Sequence, residues 1–114
     1  MDRDFTTFKR HFTRYQQMFG LTGYSVYFKY EPLDGAFGEI RFGVNGQSVA
    51  VVLNSNLPEK EKPHKDIRRT AKHEAIHLLL TRLESNARWR HTSKEEIDES
   101  AEELVIKLEG LIKD

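Results

Sequence analysis

Residues 66–90 contain no glycine and no proline and carry Ala71, Ala75, Ile76, Leu78, Leu79, Leu80 and Leu83, so they are expected to form one long, largely buried helix around which the rest of the chain must pack. Set into that helix is His73-Glu74-Ala75-Ile76-His77. Positions i and i+4 of a helix lie one above the other on the same face, so both imidazoles can reach a single ion. Neutral imidazole nitrogens suit Zn2+, which in catalytic sites takes a third protein ligand and leaves one position open to water. Glu74, next to the first histidine, is placed to accept a proton from such a water as general base. With 5 His and 12 Glu among 114 residues, a shuffled chain would show this spacing in roughly two cases in a hundred. A single buried histidine is usually a hydrogen-bonded core residue. Two on successive turns of an apolar helix, with a glutamate between them, point to a metal.

The length fits a single domain, residues 1–114, with one modest core. No apolar run is long enough to span a membrane. The amino-terminal residues Met1-Asp2-Arg3-Asp4 lead directly into an amphipathic pattern, so no secretory leader is expected. There is no cysteine, which excludes disulfides and thiolate zinc ribbons, and a cytoplasmic location is the plain expectation. Net charge is zero but unevenly placed: residues 59–72 hold six basic and three acidic side chains, and residues 93–114 hold three basic and eight acidic. Two solvated helix faces that attract one another explain this. A nucleic-acid patch at residues 60–72 would lack both a binding motif and interleaved aromatic residues, so no nucleic-acid partner is expected.

Along the chain, Phe5, Phe8, Phe12, Tyr15 and Phe19 recur at helical spacing and predict a first helix ended by Gly20. From residue 24 the period changes to two, with Tyr24, Val26, Phe28 and Tyr30 on one face of a strand. Residues 37–43 read as a second strand with Ile40 and Phe42 inward, and Asn45-Gly46 as a hairpin turn. A third strand, residues 48–53, is apolar on both faces. It is therefore either central or an edge that receives something, and its link to the active helix through a polar loop makes a substrate-binding edge the expectation. His64 ends that loop outside helical register with His73. Ser93 or Thr92 should cap a last helix, with Glu95 or Glu96 completing a capping box, and Ile97, Ala101, Leu104, Val105, Leu108, Leu111 and Ile112 on its apolar arc. The expected class is α+β: helix, three strands, active helix, acidic helix.

Without cysteine, the third metal ligand must be His, Asp or Glu, and the last helix offers Glu95, Glu96, Asp98, Glu99, Glu102, Glu103 and Glu109. At 100° per residue, Asp98 and Glu102 lie on the Val105–Ile106 side of the apolar arc and can face inward, whereas Glu99 and Glu103 turn further away. Geometry thus favours Glu102, then Asp98.

This order of elements resembles the minimal gluzincins, in particular small phage-type SprT-like metallopeptidases. The likeness rests on Tyr24-Ser25-Val26, Ala50-Val51-Val52-Leu53, His73-Glu74-Ala75-Ile76-His77-Leu78-Leu79-Leu80 and Glu102-Glu103-Leu104-Val105 followed by Leu108. It implies that His73, His77 and a downstream glutamate, matched by Glu102, bind zinc, and that Glu74 is catalytic. The chain lacks the cysteine-containing ribbon of some larger members. The residue that would polarise the scissile carbonyl has no motif match, and His91, Arg88 and Arg90 are candidates by charge and position alone.

The expected activity is zinc-dependent endopeptidase cleavage, with the polypeptide substrate extended along the third strand. The alternatives are a non-catalytic zinc-containing module that engages a protein or nucleic acid, and a zinc-free domain in which the motif is accidental.

Overall fold

The computed structural model describes residues 2–43, 47–88 and 93–112, with side chains for all of these except 82, 83 and 85–88. The class is α+β as expected: α1 (Arg3–Met18), β1 (Ser25–Glu31), β2 (Gly38–Phe42), β3 (Ser48–Asn54), a 3-10 turn (Lys62–His64), α2 (Ile67–Arg88) and α3 (Lys94–Leu111).

The aromatic stripe sets the first layer. Phe8, Phe12 and Tyr15 are fully buried on α1, and Phe8 and Phe12 meet Phe28 of β1 edge-on, at centroid separations of 6.3 and 5.7 Å. Asp2 caps α1 by accepting from the Asp4 amide at 2.7 Å and also accepts from the Tyr30 hydroxyl at 2.7 Å. That second bond ties the start of the helix to the end of β1. It lowers the Asp2 carboxyl and, as the largest cause, raises Tyr30 to about 12, because the pair is strongest with Asp2 ionised and Tyr30 protonated. Gly20, at φ 70, makes the left-handed exit from the helix.

The sheet corrects one expectation. Its order is β1-β3-β2. β3 runs parallel to β1 and antiparallel to β2, so the third strand is paired on both sides and is not the substrate-binding edge. The physical reason is burial. Val49, Val51 and Leu53 face the helices, while Val52 on the opposite face is also fully buried. A strand apolar on both sides is most stable at the centre. On the outer face Arg41 of β2 reaches across β3 to Glu31 of β1 at 2.7 Å and also pairs with Glu39. Phe42, expected inward, is 43% exposed. The Asn45-Gly46 turn lies outside the described residues, although the antiparallel β2–β3 pairing it was expected to join is present.

Ala71, Ala75 and Leu78 place one face of α2 in the same core as α1 and β3. Small residues there let the helix sit close to the sheet. Gly38 of β2 extends this closeness to the edge strand: a Cβ at that position would stand 2.9 Å from Thr70 Cγ2 and 3.1 Å from the Val52 carbonyl oxygen. Ser93 caps α3 by accepting from the Glu96 amide, the first half of the expected capping box, and Glu96 Oε1 turns back to accept from the Ser93 hydroxyl. α3 packs along α2 with a narrower apolar stripe than expected. Ile97, Ala101 and Val105 are buried, while Leu104 and Leu111 are exposed. Among the described residues no helix is long and apolar enough to cross a membrane.

Candidate metal centre

The histidines of α2 stack one turn apart with ring centroids 4.9 Å from each other. α3 passes in front of them and brings Glu102 to both: Oε2 lies 3.3 Å from His73 Nε2, and Oε1 lies 3.0 Å from His77 Nε2. Zn–N and Zn–O bonds of about 2.0–2.2 Å at a tetrahedral angle put neighbouring ligand atoms about 3.3–3.6 Å apart. Each imidazole meets a different oxygen of Glu102, and with one ligand atom taken from each residue the three lie within 4.8 Å of one another, a spread that small side-chain rotations can close to that edge. His73, His77 and Glu102 therefore form a donor set that fits zinc, and they are the one such group among the described residues. Of the acidic residues weighed for the third position, Glu102 is the one that the fold brings to both histidines. Asp98 instead pairs with Lys94, and Glu103 with Lys107.

His77 is held below the ordinary imidazole range, first by burial and second by the neighbouring His73, with Glu102 opposing both. A lowered value favours the neutral ring, which is the ligating form. Glu74 is 5% exposed. Burial is the largest cause raising its carboxyl to about 8, followed by repulsion from Glu102, Glu39 and Glu109. A carboxylate with a value in that range can both accept and return a proton near neutral pH. A divalent cation between the imidazoles would offset the repulsion among these acidic groups.

The site opens into a cleft of about 1180 Å³ between α2, α3 and β2, into which Glu74, His73, His77 and Glu102 all face. Gly38, Ile40 and Phe42 of β2 line its other wall, and Tyr24, His64 and Arg69 also border it. His64, read from sequence as a loop histidine outside the ligand set, is an exposed residue of the 3-10 turn on this wall. Of the residues considered for polarising a substrate carbonyl, Arg90 and His91 lie outside the described residues, as does the Arg88 side chain.

Two contributors were not assigned their places by sequence reasoning. Glu109, counted there among possible third ligands, lies against the far nitrogen of His73, with Oε2 3.0 Å from Nδ1. The available signal was its spacing, since Ile97, Ala101, Val105 and Glu109 form one buried stripe at four-residue intervals. Gly38, the close-approach point beside Glu74, carried no signal beyond its residue type.

Comparison of the chain with protein-family models, curated proteins and solved structures gives no match.

Proposed function

We propose that this protein is a zinc-dependent endopeptidase, a minimal gluzincin of the SprT-like kind. The observation that carries the reading is the double approach of Glu102 to the Nε2 atoms of His73 and His77, with the buried Glu74 beside them in an open cleft. Zinc held by His73, His77 and Glu102 would supply a Lewis acid for the peptide carbonyl and bring the pKa of a bound water to about 7. Glu74 takes the proton of the attacking water at its carboxylate and delivers it to the leaving amine. Its burial keeps bulk water from competing for that proton.

The substrate edge belongs to β2. This strand pairs with β3 on one side only among the described residues, and its residues line the cleft opposite Glu74. An extended polypeptide can hydrogen-bond to the free side of β2 and lay its scissile bond over the imidazoles. Location in the cytoplasm belongs to the same proposal and accords with the lack of cysteine.

The test pairs a diverse peptide pool with zinc-loaded wild-type protein and the Glu74→Gln variant. Cleavage by wild type, with none by Glu74→Gln at unchanged zinc content, is the expected result. Zinc bound at one per chain without cleavage of any peptide would refute the enzyme reading and favour a zinc-containing binding module.

A further inference from the structure

Glu109 is the one charged side chain of α3 that the fold buries among the described residues. It follows Glu102 by seven residues, close to two helical turns, so the two carboxylates share a side of α3. α3 runs antiparallel to α2. Glu102 meets His73 and His77, whereas Glu109, further along α3, meets Arg69 and His73, partners set one turn earlier on α2. Its two oxygens face different partners. Oε2 lies 3.0 Å from His73 Nδ1, and Oε1 lies 3.4 Å from Arg69 Nη2. Glu109 meets Nδ1 of His73, not the Nε2 that faces Glu102, and it stands outside the group able to share one ion.

We infer that Glu109 is a positioning residue for His73, a role that rests on reading the site as a metal centre. A neutral imidazole carries one proton. A carboxylate at Nδ1 draws that proton to Nδ1 and leaves the lone pair on Nε2, the atom turned toward Glu102 and His77. The same hydrogen bond fixes the ring about its χ2 torsion, so that Nε2 is already aimed before a cation arrives. Arg69 holds the carboxylate from its other side while keeping most of its own guanidinium in water, with 63% of that side chain exposed against 7% for Glu109. A glutamate on an otherwise apolar stripe is thereby accounted for by what it touches.

The role separates from a structural one because the two predict opposite responses to Glu109→Leu. Leucine continues the stripe of Ile97, Ala101 and Val105 and removes a buried charge, and the two partners it leaves behind, Arg69 at 63% and His73 at 25% exposure, can both turn to water. Folding stability should therefore hold or rise. Zinc affinity, measured by competition with a chromophoric chelator, should fall about 10- to 100-fold. Glu109→Gln keeps an acceptor oxygen at Nδ1 and should stay within about threefold of wild type. In zinc-loaded protein labelled with 15N-histidine, the His73 Nδ1–H resonance should be protected from exchange in wild type and Glu109→Gln and exchange-broadened in Glu109→Leu. Glu109→Leu binding zinc as tightly as wild type would overturn the inference and leave the metal centre standing. So would an exchange-broadened Nδ1–H in Glu109→Gln, a test that holds even if the leucine variant fails to fold. Wild-type protein that takes up no zinc would overturn both the inference and the metal centre.

Discussion

In zinc-free protein, Glu74→Gln should raise stability, and the gain should grow with pH. Glu74 is 5% exposed, and burial first, then the neighbouring carboxylates, move its value from 4.5 to about 8. Between those two values the native state keeps a proton that the unfolded chain has released. The native state thus binds more protons there, and stability must fall as pH rises, with the loss complete above the folded value. At about 1.4 kcal/mol per pH unit, a displacement of this size sets a ceiling of about 5 kcal/mol. Side-chain relaxation and water entering the open cleft reduce this, so about 2–3 kcal/mol is the working expectation, a large share of the roughly 5–15 kcal/mol typical of a domain. Glutamine keeps the shape and cannot ionise. Urea unfolding followed by circular dichroism, in chelator, should give variant and wild type within about 1 kcal/mol of each other at pH 5. At pH 8.5 the variant should lead by about 2–3 kcal/mol. Groups that titrate equally in both proteins cancel in the difference. Adding zinc should shrink the pH-dependent part of the gap, because a cation beside Glu74 lowers its carboxyl again. A stability difference that stays constant from pH 5 to 8.5 would refute the reasoning, since it would mean that Glu74 ionises as freely in the folded protein as in the unfolded one.

Two further outcomes follow from the geometry. Gly38→Ala places a methyl 2.9 Å from Thr70 Cγ2 and 3.1 Å from the Val52 carbonyl; it should cost about 1–3 kcal/mol in thermal or urea unfolding and lower the proposed peptidase activity by separating β2 from Glu74. Glu102→Ala should strip most of the zinc in emission spectrometry after dialysis, since it leaves two protein ligands, whereas Glu99→Ala, Glu103→Ala and Asp98→Ala should retain it.

Much of the centre was legible in the residues because it is local. His73, Glu74 and His77 sit within two turns of one helix, and helical geometry alone stacks the imidazoles. The period-two and period-3.6 patterns located the helices and strands for the same reason, since each reports which side of a single element meets apolar surroundings. The reading of Glu102 needed one step more. It combined the inward side of the last helix with the requirement for a third ligand, and the structure sets that carboxylate against both imidazoles.

What failed depended on pairing between elements. The third strand looks the same in sequence whether its second apolar face is covered by neighbouring strands or waits for a substrate, and only the assembled order β1-β3-β2 shows that its backbone groups are already used. Phe42 alternates correctly for an inward residue but lies at the end of an edge strand beside the cleft. The sequence by itself determined the α+β class, the helix that carries the histidines and the glutamate between them, because periodicity and residue chemistry are properties of a segment. Only the tertiary structure decided which strands stand at the edges of the sheet, that Gly38 lets the edge strand β2 close on Glu74, and that Glu109 lies behind His73. Those facts are set by how far apart, and in which direction, separate segments pack, and no single segment carries that information.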